Sequence, residues 1–270
     1  FFNAVFIPIM IRLIAAMAAG PLLGWKRAEL GPALKRLWVA LAAAVVVGVV
    51  ASWLMGAKEP LGALGLGLGL WLGVGTALEL GERIKLFRAP VGESLSRLGR
   101  QSRASLGMTL AHLGLAFAIV GMAGTAWKSE TVRTLKPGET ITAGGFEVTF
   151  QGARETRGPN YTATEGRFVA RRQGREIAVM TPEKRTYSVQ GMPTTEAAIR
   201  STLMGDLYVV IGDAEGDAGG FVVRVYYNPL VTWMWIGALV MILGGALSVS
   251  DRRYRVGVPN ARRAPATAKA

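Results

Sequence analysis

The sequence predicts an α-helical integral membrane protein of about five transmembrane helices, with one inserted all-β domain. Hydrophobic residues make up 51% of the 270 residues, and the mean hydropathy is +0.33. Several apolar stretches reach the length of about 20 residues that a spanning helix requires. Between residues 128 and 228, short runs rich in Val, Ile, Phe and Tyr alternate with Gly, Pro and Asp, which is typical of strands.

Five apolar stretches are predicted to span the membrane: residues 4–24, 37–57, 61–80, 106–127 and 230–250. Pro60 stands between the second and third stretches, at a position where a helix can begin. In the third stretch, Gly65, Gly69 and Gly73 recur every four residues. Small residues at this spacing let two helices approach closely, so we expect another helix to pack on this face.

The distribution of charge predicts the topology. Residues 128–224 hold 13 basic and 12 acidic residues, whereas the rest of the chain holds 18 basic against 6 acidic ones. The excess of positive charge lies in segments 25–36, 81–105 and 251–270, which fall on one side of the membrane if the five spans alternate. By the positive-inside rule that side is the cytoplasm. The β domain then faces the periplasm of a diderm bacterium, and no nucleic-acid partner is predicted.

The β domain, residues 128–228, is long enough for one small core of five to seven strands. A hairpin is expected to turn at Gln173 and Gly174. The segment TTEAAIRSTL, residues 194–203, is compatible with a helical turn or with a further strand. The pattern therefore predicts a small barrel or a sandwich.

His112 is the one histidine of the chain, and it lies about six residues inside an apolar span. One interpretation is a hydrogen bond to a neighbouring helix. The other is ligation of haem iron or another transition metal by the neutral imidazole. The surrounding residues of its helix are mostly small or apolar: Met108, Thr109, Ala116 and Ile119. A second histidine ligand would have to come from outside this chain.

Other polar and aromatic residues of the spans have alternative interpretations. Arg12, in the first span, needs a carboxylate, a haem propionate or water, unless its side chain reaches the interface. Glu79 and Glu82, at the end of the third span, are expected to reach lipid headgroups. Aromatic residues at the outer ends of the last two spans predict an interfacial belt: Trp127, Tyr226, Tyr227, Trp233 and Trp235. With one histidine and no cysteine, hydrolase chemistry and thiolate metal sites are disfavoured.

Four collinear stretches resemble the C-terminal part of the CcmF family, the haem-handling cytochrome c maturation proteins of the bacterial System I pathway. They are FFNAVFIPIM…GPLLGWKR, RLGRQSRASLGMTLAHLGLAFAIVGMAG, TPEKRTYSVQGMPTTEAAIRSTLMGDLYVVIGD and VRVYYNPLVTWMWIGALVMILGGALSVSDRRYR. The resemblance implies a cytochrome c haem lyase. Such a lyase takes substrate haem from a periplasmic haem chaperone and attaches it, through thioethers, to the C-x-x-C-H cysteines of apocytochrome c. Thiol-reducing and apocytochrome-binding maturation subunits are the implied partners.

The resemblance also implies a haem b that reduces the incoming haem, held by two membrane histidines, with quinol a candidate electron donor. One of these histidines falls in the AHLG stretch of the family, here Ala111–Gly114, so His112 is the implied axial ligand to the haem iron. Arg12 matches no functional residue of the family and stays a candidate propionate partner. The Trp-rich segment of the family and its other histidines are missing here. We therefore expect the N-terminal part of the same protein as a partner, and a chain that is inactive without it.

These inferences predict a haem lyase component in the bacterial inner membrane, in contact with lipid. The alternative is a non-catalytic membrane scaffold that organises a cytochrome c assembly complex, with His112 only hydrogen-bonded. A transporter is disfavoured, because the spans lack the broken helices with polar groups that a midplane site needs.

Overall fold

Long apolar helices flank the β domain in the computed structural model, which describes residues 2–20, 31, 35, 37–54, 60–189, 191–215 and 219–251. The helices are α1 (Phe2–Ala19), α2 (Trp38–Leu54), α3 (Pro60–Ile84), α4 (Val91–Gly99), α5 (Arg103–Gly124) and α6 (Thr232–Val249). A short 3₁₀ turn, Thr125–Trp127, connects α5 to the β domain.

Within the described residues, three helices are long and apolar enough to cross a membrane: α3, α5 with its 3₁₀ turn, and α6. The first two predicted spans correspond to α1 and α2, which are shorter apolar helices. The predicted stretches 4–24 and 37–57 run on into residues that lie outside the described part of the chain. The count of five spans therefore stays a prediction.

The segment predicted as a basic cytoplasmic loop, residues 81–105, is largely helical. Helix α3 continues to Ile84, α4 lies inside the segment, and α5 begins at Arg103. The side chain of Ser102 accepts a hydrogen bond from the backbone of Ser105 and so caps α5. In α4, Glu93 and Arg97 form an i,i+4 ion pair at 2.6 Å. The Arg97 guanidinium holds the pKa of the Glu93 carboxyl below its ordinary value by hydrogen bonding. The many charged residues of this segment led to the prediction of a loop, because they interrupt the apolar periodicity from which a helix is recognised.

Within the described residues, ten antiparallel strands form the β domain, more than the five to seven predicted. They are β1 (Ser129–Leu135), β2 (Thr140–Ala143), β3 (Phe146–Arg157), β4 (Tyr161–Arg172), β5 (Arg175–Met180), β6 (Glu183–Tyr187), β7 (Pro193–Glu196), β8 (Ala198–Thr202), β9 (Gly205–Glu215) and β10 (Gly220–Pro229). One sheet has the order β1-β10-β9-β8. The other has the order β2-β3-β4-β6-β7, with β5 paired to β4.

A single apolar core joins the two sheets, so the domain is a sandwich. Phe150 and Phe168, both fully buried, stack with ring centroids 4.9 Å apart. They face Val209 and Val225 of the other sheet in one buried cluster. Inward-facing apolar residues of seven strands, β1 to β5, β9 and β10, supply the buried residues of this core.

Two local predictions for the β domain are resolved by the strands. The hairpin between β4 and β5 turns at Gln173 and Gly174, with φ of +51° and +74°, as predicted. The segment 194–203, which the sequence left open, forms most of β7 and β8. These are edge strands, and Ile199 of β8 is half exposed. Because an edge strand buries little of either face, its sequence carries a weak alternation.

Glycines set the distances between the long helices. The predicted face of α3 packs on α5: a β carbon at Gly69 would lie 2.8 Å from Val120, and one at Gly65 would lie 2.9 Å from Ala123. This prediction is confirmed. A second and closer contact joins α5 to α6 through Gly114 and Gly237, where a β carbon at Gly237 would lie 2.5 Å from the Gly114 oxygen. The backbones of α5 and α6 therefore touch.

Candidate functional site

His112 lies on α5 with its ring half-buried. Nδ1 is 2.9 Å from the carbonyl oxygen of Met108, one turn earlier in the same helix. A carbonyl oxygen can only accept, so Nδ1 carries the proton and Nε2 presents a lone pair in the neutral ring. Within the described residues, Nε2 has no hydrogen-bond partner. The ring is thus held in the tautomer that an Nε2 metal ligand requires.

The face of α5 that carries His112 turns towards α3. One turn further along, Ala116 is buried, and its β carbon would lie 3.4 Å from a β carbon placed at Gly73. One turn earlier, Thr109 is buried and bonded to Arg83 of α3. His112 is therefore flanked along the helix by two tight α3–α5 contacts, which fix the helix that carries the ring.

A buried polar cluster links α3 to α5 beside His112. Arg83 donates to Glu79 and to Thr109, each at 2.6 Å, and also to the hydroxyl of Ser105. Glu79 is only 8% exposed, so its predicted position among lipid headgroups is wrong. The carboxylate instead pairs with a guanidinium, because a buried charge without a partner is costly. The Glu79-x-x-x-Arg83 spacing was the signal for this cluster in the sequence.

Replacement of Arg83 by Met should destabilise the α3–α5 pair. It leaves Glu79 buried without its partner, which costs about 3 kcal/mol for a pair of this kind. Thermal unfolding of the purified chain in detergent measures the loss. Arg97→Met is the matched control, because the Glu93–Arg97 pair has the same spacing but is exposed to water and should matter little. Similar small effects of both changes would contradict the role assigned to Arg83. The double variant Glu79→Met/Arg83→Met should recover most of the loss.

Arg12 does not join this cluster. Its side chain is exposed on α1 and donates to the carbonyl oxygen of Pro8 at 3.4 Å, within the same helix. In the described residues no contact joins Arg12 to His112. The two residues that the sequence singled out as haem contacts therefore do not form one cluster with each other in the described residues.

The predicted aromatic belt is partly a packed structure. Trp235 is 67% exposed, as expected of an interfacial residue. Trp233 instead packs on Phe117, with ring centroids 5.3 Å apart, and donates to the Leu203 carbonyl at 2.9 Å. Trp127 is half-buried, and a β carbon at Gly62 of α3 would lie 3.2 Å from its ring. These contacts fasten the β domain to the ends of the helices.

At the other end of the sandwich, Arg185 of β6 is held by its neighbours. Its guanidinium lies over the Tyr161 ring, 4.6 Å from the centroid, and donates to Glu183 at 2.7 Å. Hydrogen bonds to Glu183 and Tyr187 raise the pKa of Arg185 above its ordinary value, so it stays charged. The arrangement holds β6 against β4.

Residues 126–229 match the family of the CcmF C-terminal β-sandwich. Three relatives that match nearly the whole chain are all cytochrome c-type biogenesis proteins. CycK of Rhizobium meliloti is 42% identical over 260 residues, which are 96% of this chain and 38% of that protein. CcmF of Pseudomonas aeruginosa is 37% identical over 96% of this chain and 38% of its own length. CcmF of Escherichia coli is 33% identical over 98% of this chain and 39% of its own length.

The fold has a match among solved structures. A structure named cytochrome c heme lyase CcmF superposes with a TM-score of 0.75 over 93% of this chain and 40% of that one, at 23% identity. The likeness shows a shared fold of helices and sandwich. The chain spans about two fifths of the length of these relatives.

Proposed function

Because the chain belongs to the CcmF family of cytochrome c-type biogenesis proteins and carries its C-terminal part, we propose that it is one part of a cytochrome c haem lyase. The whole protein would lie in the bacterial inner membrane, with the sandwich in the periplasm. The apolar helices on both sides of the sandwich support this placement. The remaining part of the protein is the first partner of this chain.

We propose His112 as an axial ligand of haem b. The observation that carries this role is the hydrogen bond from Nδ1 to the Met108 carbonyl, which leaves the Nε2 lone pair without a competing donor. Thr109 and Ala116, one turn away on either side, pack against α3 and so fix the helix that carries the ring. A second histidine ligand would have to come from outside this chain, which has a single histidine.

When bound there, haem b supplies the one-electron chemistry that reduces the incoming haem. The residues of this chain hold and orient the ligand: the Met108 carbonyl sets the tautomer, and the α3–α5 contacts set the position of the helix. Arg12 is proposed as a polar partner for a propionate or a carboxylate from outside this chain, because its guanidinium is exposed. Quinol is the proposed electron donor.

Attachment of haem would occur in the periplasm. Each cysteine thiol of the apocytochrome adds across a haem vinyl group, so that one S–C bond forms and the proton ends on the other vinyl carbon. Substrate haem would arrive from a chaperone, and thiol-reducing and apocytochrome-binding subunits would keep the cysteines available. We assign to the sandwich the docking of these partners or of apocytochrome c.

A second candidate is a non-catalytic scaffold for the same assembly. It is favoured by the bond that His112 makes within its own helix, since that bond satisfies one polar atom without any ligand. In this case His112 contributes to packing alone.

Formation of holocytochrome c separates the two functions. We expect cells whose full-length protein carries His112→Ala to lose most covalent haem on cytochrome c, measured by peroxidase staining of gels, at unchanged protein level. The control is Leu110→Ala, two residues away on the opposite face of α5. Normal cytochrome c in the His112→Ala cells would favour the scaffold.

A further inference from the structure

The turn between β8 and β9 has an unusual composition. Thr202 pairs with Gly205, so Leu203 and Met204 form the two-residue tip of the hairpin, here called the apolar tip. Turn tips in water usually carry Gly, Asn, Asp or Ser. In this tip two large apolar side chains are 55% and 63% exposed. Nothing within the described residues covers them.

The backbone carbonyl groups of the apolar tip have hydrogen-bond partners within the protein and do not depend on water. The three carbonyl oxygens from Thr202 to Met204 all accept hydrogen bonds, at 2.8 to 3.0 Å. The donors are the side chains of Tyr227, Thr232 and Trp233 and the backbone of Leu230. A turn in water has no need of such partners, whereas polar backbone groups that enter an apolar phase must be paired.

These donors place the apolar tip beside the start of α6, the helix that follows the sandwich. Thr232 and Trp233 form the first turn of α6, one of the helices long enough to span. Trp235, two residues further along, is largely exposed, as interfacial tryptophans are. The apolar tip and the exposed face of α6 are therefore neighbouring apolar surfaces.

Exposed cations lie at the same end of the sandwich. Arg172, at the turn between β4 and β5, lies over the Phe146 ring, 4.9 Å from its centroid. Phe146 in turn packs on Tyr227, which bonds to the apolar tip. Arg175 is exposed across the same turn. An apolar insertion beside arginines matches a lipid interface, with its acyl chains below and its phosphates above.

We propose that the apolar tip inserts into the outer leaflet of the membrane and docks the sandwich on the lipid surface. The partner is the phospholipid interface. The sandwich is already joined to the helices at two points, where α5 leads into β1 and where β10 leads into α6. Insertion of the apolar tip gives it a third attachment point and restricts its tilt. This proposal is independent of haem binding.

Site-directed spin labelling tests the proposal, because the chain has no cysteine. Met204→Cys is labelled in the full chain, reconstituted in vesicles of phosphatidylcholine and phosphatidylglycerol. The matched control is Met192→Cys, since Met192 is also an exposed methionine, 68% accessible. It precedes β7 at the opposite end of the sandwich, where β6 pairs with the start of β4.

We expect the label at position 204 to collide several-fold more often with lipid-soluble oxygen, relative to a water-soluble nickel chelate, than the label at position 192. Leu203→Cys should behave like Met204→Cys. Equal accessibility to the chelate at positions 204 and 192 would overturn the proposal. Protection of position 204 from both reagents would also overturn it, by showing that protein covers the apolar tip.

Discussion

The variant His112→Ala is expected to lose the low-spin b-type spectrum of the full-length protein. Without the imidazole, this chain would no longer supply a nitrogen ligand to the haem iron, so the spectrum should become high-spin or the haem should dissociate. The measurement is a reduced-minus-oxidised optical spectrum of the purified protein beside wild type. Leu110→Ala is the control on the opposite face of α5.

Added imidazole sharpens this test. Replacing the ring by a methyl group frees the volume of one imidazole at position 112, so free imidazole should restore at least part of the low-spin spectrum in His112→Ala. A structural role for the histidine predicts no such rescue. An unchanged spectrum in the variant without imidazole would remove the axial role from His112 and favour the scaffold.

The second large effect is expected at the contact between α5 and α6. Gly244→Ala places a β carbon 2.6 Å from the backbone nitrogen of Ala111 and 2.7 Å from the Gly107 oxygen. Backbone atoms cannot move aside as a side chain can, so the helices must separate. We expect a loss of about 3 kcal/mol, the upper range for overpacking, which corresponds to a fall in Tm of roughly 6 °C or more.

The adjacent glycine is a close control for this change. A β carbon at Gly245 meets no atom within 4 Å. Gly245→Ala should therefore raise Tm slightly, because alanine favours the helix by about 1 kcal/mol. Thermal unfolding of both variants in the same detergent compares one methyl group at neighbouring positions of α6. Equal shifts in Tm would mean that α5 and α6 do not pack as closely as described.

Much of the site could be predicted from residue types alone. A single histidine in an apolar stretch and short runs rich in Val, Ile, Phe and Tyr are local features, and each is recognised within a few residues of sequence. The Gly65, Gly69 and Gly73 face likewise predicted a packed helix, and α5 lies there. The prediction that Glu79 reaches lipid headgroups was wrong. Burial of its carboxylate depends on Arg83 and Thr109, and Thr109 belongs to another helix.

The sequence by itself therefore determined the kinds of element in this protein: apolar helices, a β domain of short strands, and one histidine within an apolar helix. Only the tertiary structure decided how they meet. The proton on Nδ1 of His112 depends on a carbonyl that the fold leaves within reach. The contact of α5 with α6 at Gly237 and Gly244 joins residues far apart in the chain. The hydrogen bonds that hold the apolar tip against α6 do so as well. Such contacts depend on three-dimensional distance, which a one-dimensional pattern does not contain.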